Sequence, residues 1–434
     1  MKFFVRTFGC QMNENDSEHI GGMLVRAGAT RASTAEDADV IIVNTCAVRA
    51  KSEEKLSSYL GRLSSLKKKR PVLIGVAGCV AQVRRHDLLK KRPFVDFVIG
   101  PDNYLEIPAI LERAAAAGPV IETGRSREWR EFGRAETLRE SPTSAFVTVM
   151  EGCDNFCAYC VVPFSRGREK FRPFESVVRE AGDLAAAGYR EIQLLGQNVN
   201  SYRDPATGCG FADLLDAVAA VPGLAWVRFL TSHPKNFGDD IIGAMARNPK
   251  VCRSLHLPIQ SGSTDVLERM NRGYSREGYL ALIERIRAHV PGILLNTDII
   301  VGFPGETEAD FEATCDALRR VRYAGIFSFR YSPRPLTAAA RMADDVPLEV
   351  KRRRLLVLQG LQKTIQTEIN ASFVGHELEV LCAGPSPKGA GRMAGRTEGN
   401  LVVNFPAPAE AAGRFVTVRI TGSGPYSLHG ELAG

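Results

Sequence analysis

The chain has 434 residues, 44% apolar and 24% charged, with ten cysteines and a formal net charge of +7. That length accommodates two or three domains, and the composition is ordinary for a globular protein. No run of eighteen apolar residues occurs, which excludes a membrane-spanning helix.

The opening MKFFVRTFGCQMNE has one lysine and a short apolar patch and turns polar at Gln11, a poor match to a signal peptide. A cytoplasmic location is expected, where thiols stay reduced, so ten cysteines point to metal or redox chemistry rather than a disulfide framework. Residues 1–118 carry 18 Lys and Arg against 13 Asp and Glu, including Lys67–Arg70 and Lys90–Arg92. Such a balance suits a polyanionic partner and equally suits solvated helix ends.

Residues 1–118 alternate apolar runs with amphipathic stretches. FFVRTF (Phe3–Phe8), DVIIVN (Asp39–Asn44) and VLIGVA (Val72–Ala77) predict strands, and DSEHIGGMLVRAG predicts a helix capped by Asp16 or Ser17. Strand–helix alternation implies a doubly wound parallel sheet. Residues 119–143, charged and without apolar periodicity, predict a linker. From Ser144 to residue 370 a second alternation runs through AFVTVM, EIQLLG, AWVRFL, SLHLPI, ILLNTDIIV and GIFSFRY, with helical patterns between them and a long helix at PLEVKRRRLLVLQGLQKTIQTEIN. Six units are too few for a full eight-unit barrel and predict a partial (β/α)6 barrel. Residues 371–434 change again to short strands divided by Gly and Pro turns, a small β-barrel. The expected fold class is therefore α/β with a C-terminal β-barrel.

Cys153, Cys157 and Cys160 stand in MEGCDNFCAYC, with His233 the nearest downstream histidine. A structural zinc site closes with four ligands, whereas three thiolates on an iron–sulfur cubane leave one iron open. The loop follows the first barrel strand, at the end where barrels place chemistry. Cys10, Cys46 and Cys79 lie 36 and 33 residues apart, each just after one of the three N-terminal strands. Carboxyl strand ends of a doubly wound sheet meet along one edge, so these thiols either converge on a second cluster or are buried structural cysteines. Cys315, on a helical apolar face, reads as core. His19, His86, His256 and His289 lack any ligand pairing and read as structural or exposed.

The Cys-x-x-x-Cys-x-Tyr-Cys run resembles the signature of radical S-adenosylmethionine (AdoMet) enzymes. The resemblance implies a 4Fe–4S cluster on Cys153, Cys157 and Cys160 whose open iron is chelated by AdoMet, and reductive cleavage of AdoMet to a 5′-deoxyadenosyl radical. It also implies that Tyr159 and the strand-end residues Gln197, Asn198, Ser232, Gln260, Asp298 and Gly302 line the cofactor pocket, with Gly302 and Gly305 letting backbone approach the adenosine. Taken with FGCQMNENDSE, NTCAVRAKSEEK, GCVAQ and LLGQNVNSY, the whole chain is similar to the methylthiotransferase family.

That family pattern implies a second 4Fe–4S cluster on Cys10, Cys46 and Cys79 that carries the sulfur, a radical AdoMet core over 144–370 and a TRAM barrel over 371–434 that grips the anticodon arm of tRNA. Arg396 and Asn400 match its polar RNA-binding positions. Leu401 stands where a basic residue is common, and residues 371–434 hold five Lys and Arg against five Glu. The basic Val350–Leu356 segment is a further RNA-contact candidate or a solvated helix face. The implied reaction inserts sulfur at carbon 2 of N6-isopentenyladenosine at tRNA position 37 and methylates it, with AdoMet as both methyl donor and radical source. An electron donor such as flavodoxin or ferredoxin, and a monomer, complete the expectation. Related branches act on threonylcarbamoyl-adenosine or on a ribosomal-protein aspartate. A non-catalytic iron–sulfur RNA-binding protein is the rival from another class.

Overall fold

The computed structural model describes residues 1–133, 136–387, 389 and 391–433. The N-terminal part follows the alternation read from the sequence: β1 (Lys2–Phe8), α1 (Gln11–Arg26), β2 (Thr30–Arg31), β3 (Val40–Thr45), α2 (Ala50–Lys67), β4 (Leu73–Ala77), α3 (Cys79–Arg84), α4 (His86–Lys91), β5 (Phe97–Ile99), α5 (Ile107–Ala117) and β6 (Val120–Glu122). All six strands pair in parallel, in the order β2-β1-β3-β4-β5-β6. Every residue of β3 is buried, as a parallel strand covered on both faces requires.

Two expectations change here. The sheet takes its edge strand β6 from the stretch read as linker, because three residues are too few to show a period. Helix α1 begins at Gln11 with Cys10 as its N-cap, so Asp16 and Ser17 lie inside it rather than capping it. The Cys10 carbonyl accepts the first bonds, from Asn13 N at 2.8 Å and Glu14 N at 3.1 Å. Ser17 Oγ instead meets Thr7 Oγ1 at 2.8 Å.

The central part runs β7 (Ser144–Thr148), β8 (Met150–Glu151), α6 (Val162–Ser165), β9 (Lys170–Phe171), α7 (Phe174–Ala186), β10 (Glu191–Leu195), α8 (Phe211–Ala220), β11 (Trp226–Phe229), α9 (Asp239–Arg247), β12 (Ser254–His256), α10 (Thr264–Arg269), α11 (Arg276–His289), β13 (Leu294–Val301), α12 (Glu308–Val321), β14 (Gly325–Arg330) and α13 (Leu348–Ala371). Strands β7, β10 and β11 form one parallel triplet and β12, β13 and β14 another. Parallel bridges at Val227–Val251 and Gln260–Ile299 supplement their pairing. The result is the six-strand partial barrel. Leu295, Ile299 and Val301 of β13 pack outward with Phe311 and Leu318 of α12 in one core, while Asn296, Asp298 and Ile300 face the barrel interior.

Five strands close the C-terminal barrel: β15 (Glu377–Pro385), β16 (Arg392–Thr397), β17 (Val402–Pro406), β18 (Phe415–Ser423) and β19 (Leu428–Leu432), in the order β15-β16-β17-β19-β18. It docks on the amino ends of the central strands. Trp226 meets Phe415 edge-on at 4.7 Å, and Arg228, ion-paired to Glu191 at 2.8 Å, donates to the carbonyls of Thr397 at 2.7 Å and Glu398 at 2.6 Å.

Candidate active site

The 153–160 cysteines occupy an excursion whose base is closed by the antiparallel pair β8–β9, with Glu151 opposite Lys170. Gly152 enters it at φ +82°, and a side chain there would run into the Arg168 carbonyl. Cys153 N donates to Gly167 O at 3.2 Å and Cys160 N to Cys157 O at 2.9 Å, which folds the loop back on itself. Arg272 Nη1 lies 3.3 Å from both Cys157 Sγ and the Tyr159 hydroxyl, and His233 Nε2 stands 3.8 Å from the same sulfur. Burial pushes the Cys153 thiol up to about 11 and Cys160 up to about 12. Iron binding must therefore expel protons from this site.

Cys10, Cys46 and Cys79 follow β1, β3 and β4, three adjacent strands of the N-terminal sheet, as the topology rule requires. The Cys46 thiol bonds Cys10, which, with the Asn13 N–H and the Arg166 charge helping against burial, pulls Cys10 down to about 5; the same bond and burial push Cys46 up. Asn44 braces the edge by donating to Asn13 O at 2.8 Å and Ser17 Oγ at 3.0 Å. Gly78, at φ +89°, lets the chain turn into Cys79 beneath the Asn44 side chain. Among the described residues no three His, Cys, Asp or Glu side chains close around a single metal ion. A polynuclear cluster, by contrast, takes soft thiolates spread over a wider face, so the two sets of donors fit that group.

The two sites face each other across the domain boundary. Arg166, six residues past Cys160 and 4% exposed, donates from Nε to Cys79 Sγ at 3.4 Å. It also ion-pairs with Asp16 of α1 and, at 3.3 Å, with Glu151. Burial raises Asp16 to about 6 despite that guanidinium. Lys170 ties Asp102 of the first domain to Glu151, and Thr148 Oγ1 donates to Asn15 Oδ1 at 2.7 Å. Sequence reading missed Arg166, Asp16, Lys170 and Arg272; the Ser-Arg-Gly that follows the cysteine loop was the available signal.

The strand-end residues divide. Asn198 Oδ1, Ser232 Oγ and Gln260 Oε1 are buried with no hydrogen-bond partner among the described residues, and all three follow successive strands β10, β11 and β12. Thr231 and Gln260 hold left-handed backbone at φ +69° and +71°, a strained state that functional sites tolerate. Three orphaned polar atoms at one barrel mouth fit a polar cofactor. Gln197 is already engaged, its Oε1 accepting from Gly152 N and so holding the cysteine loop. Asp298 lies 3.4 Å from His256 Nε2. Gly302 is at φ +71°, but the Lys351 side chain fills the space beside it, so α13 rather than a ligand uses the close approach there.

Arg396 and Asn400 come together, with Arg396 Nη1 3.0 Å from Asn400 Oδ1. They sit on the β16–β17 turn at the amino end of the central barrel, opposite the cysteine face. The basic Val350–Leu356 run divides: Lys351 and Arg354 are buried and paired, with Asp344 and with Glu306 and Glu308, whereas Arg352 and Arg353 lie on the solvated face of α13, paired there with Glu349 and Glu308. Cys315 is buried core as expected. His19 stacks on Phe132 at 4.1 Å, and burial lowers it to about 3.

Residues 2–100 match the uncharacterized protein family UPF0004, residues 147–318 the radical SAM superfamily and residues 371–433 the TRAM domain. The radical S-adenosylmethionine methyltransferase TsrM from Kitasatospora setae, solved with cobalamin and a [4Fe-4S] cluster, aligns at TM-score 0.56 and 16% identity over 91% of this chain and 80% of that one. The cobalamin-dependent radical enzyme OxsB aligns at TM-score 0.51 and 12% identity over 83% of this chain and 56% of that one. At such identities the likeness concerns the fold, and fold and sequence match together define a radical AdoMet protein with a thiol-bearing N-terminal domain and a TRAM barrel. The tRNA-2-methylthio-N(6)-dimethylallyladenosine synthase of Chlorobium luteolum is 47% identical over 100% of this chain and 97% of its own length. That of Anaeromyxobacter dehalogenans is 49% identical over 100% of this chain and 94% of its own length. The chain belongs to this family of synthases.

Proposed function

We propose that the chain converts N6-isopentenyladenosine at position 37 of tRNA to its 2-methylthio derivative. The observation that carries this reading is a pair of three-thiol sites facing each other across a domain boundary. Whole-chain relatives at 47% and 49% identity name the substrate class. The carbon to be modified bears an aromatic hydrogen that no side-chain base removes, so acid–base catalysis alone is insufficient.

Cys153, Cys157 and Cys160 hold one 4Fe–4S cluster in this reading, and Cys10, Cys46 and Cys79 a second, each with one iron left without a protein ligand. Bound, these clusters and AdoMet supply the electron, radical, sulfur and methyl chemistry that side chains lack. Arg272 orients Cys157 and places a permanent cation beside that sulfur. Asn198, Ser232 and Gln260 offer their orphaned atoms to the polar groups of AdoMet, with Tyr159 and Asp298 lining the same mouth and Gln197 fixing the loop. Asp16, Glu151, Arg166 and Lys170 clamp the two domains and keep water from the space between them.

The target base has to leave its stack to enter, at low cost because it stands in a loop. The N-terminal domain's excess of cations supports phosphate binding on the cysteine face, and Arg396 and Asn400 touch RNA farther away. Both thiol sites come from one chain, so a monomer suffices; a flavodoxin or ferredoxin supplies electrons in the cytoplasm. Among the described residues no helix is long and apolar enough to cross a membrane.

Nucleoside mass spectrometry tests this reading, on isopentenylated tRNA incubated anaerobically with reconstituted protein, AdoMet and a reductant. A gain of one methylthio group, lost in Cys157→Ala, is expected. AdoMet cleavage without that gain would move the substrate to another base or to protein.

A further inference from the structure

The last barrel strand carries an aromatic surface that belongs to neither thiol site. Phe327 of β14 is 51% exposed, a high value for a large apolar ring on a barrel strand. Its neighbour in register is Asp298, and Phe329 stands beside Ile300, so both rings share the interior-facing side of β13. Ile326, next to Phe327 in the alternation, packs outward into the core. His256, itself 3.4 Å from Asp298, meets Phe327 at 5.9 Å between ring centres.

Above these rings lies Arg49, three residues past Cys46 and therefore close in sequence to the other thiol site. Its guanidinium carbon stands 5.6 Å from the Phe327 centroid and 6.0 Å from that of Phe329. Among the described residues this guanidinium has ring contacts but neither a hydrogen bond nor an ion pair, in contrast to Arg166 and Arg272. A half-exposed ring of the central barrel and a guanidinium of the N-terminal domain without a carboxylate partner are the two groups by which proteins hold an unstacked nucleotide: stacking for the base, charge for its phosphate.

We infer that Phe327, supported by Phe329, stacks the flipped target adenine between the two thiol sites, and that Arg49 neutralises the adjoining phosphate. This inference rests on the tRNA substrate proposed for the chain. The alkenyl substituent on the base is apolar and lies against the phenyl face, while Asp298 and His256 are the polar groups within reach of a base edge.

The test measures binding of the reconstituted protein to two anticodon stem-loop RNAs, one with N6-isopentenyladenosine and one abasic at that nucleotide. Wild type is expected to prefer the base-bearing RNA by on the order of tenfold, as a stacked base implies. Phe327→Ala brings the ratio near one, and Phe327→Trp restores it. Arg49→Gln weakens both RNAs alike and lowers the salt dependence by about one phosphate contact. A Phe327→Ala protein that keeps the wild-type ratio, with its iron content intact, overturns the inference. Methylthiolation by the wild type in the same preparation keeps the two proposals distinguishable, since its absence counts against the substrate reading whatever the ratio.

Discussion

Cys153, Cys157 and Cys160 stand within one loop, closed at its base by two short strands, whereas Cys10, Cys46 and Cys79 are 36 and 33 residues apart and meet only because β1, β3 and β4 are neighbours. The first site is local: glycine geometry and loop hydrogen bonds shape it. The second is a property of a sheet, present only when long-range pairing is in register. Each is completed by an arginine, but Arg272 comes from the same domain as its cysteine and Arg166 from the other. The distributed site is thus whole only when the domains dock.

The largest effect separates the two by function. Cys157→Ala is expected to abolish both AdoMet cleavage and product, whereas Cys46→Ala keeps AdoMet cleavage and loses only the methylthio product. Each removes about half of the iron in a reconstituted sample, if each site holds one four-iron cluster. Equal loss of AdoMet cleavage in both variants would break the division.

Next is Arg166→Met, which strands Asp16 and Glu151 without their buried cation. Removing one partner from a buried pair costs about 3–5 kcal/mol, and Tm should fall accordingly. Asp16→Asn in the same chain should return part of the loss; a single variant with unchanged Tm would mean that the interface does not depend on this pair.

A smaller effect concerns the orphaned atoms. Ser232→Ala should leave stability unchanged or slightly raised, because its hydroxyl is unsatisfied. AdoMet affinity should drop about tenfold, near 1.4 kcal/mol, by equilibrium dialysis. Reduced stability with unchanged affinity would make the residue structural. Smallest of all, Arg396→Ala should weaken tRNA binding less than tenfold, uniformly across sequences, since it lies opposite the cysteine face. A severe loss of turnover would require RNA to reach round the barrel more tightly than this geometry suggests.

Strand periodicity and the three-part organisation were plain in the chain. β3 opens on four buried apolar residues, Val40–Val43, and β13 alternates at period two, because local patterning records which faces are covered. The start of α1 was not legible: cysteine is not a residue type that signals an N-cap, and the capping contact is made by Asn13, whose Oδ1 accepts from Cys10 N at 3.3 Å, whereas Asp16 looks like a cap and is instead an ion-pair partner. Strands β2, β5, β6, β8 and β9 were hidden because two or three residues show no period against their flanks, and β19 because Gly430 interrupts its apolar pattern.

The sequence alone determined the six thiols and the alternation that carries them to strand ends, for these follow from spacing along the backbone. Tertiary structure alone decided that the two sites face each other, that Arg166 rather than solvent meets Cys79, that Lys351 fills the space at Gly302, and that the C-terminal barrel docks at the far end. Those outcomes depend on a few charged and aromatic contacts between segments as far as 170 positions apart or more. Periodicity encodes which face of an element is buried but not which distant surface buries it.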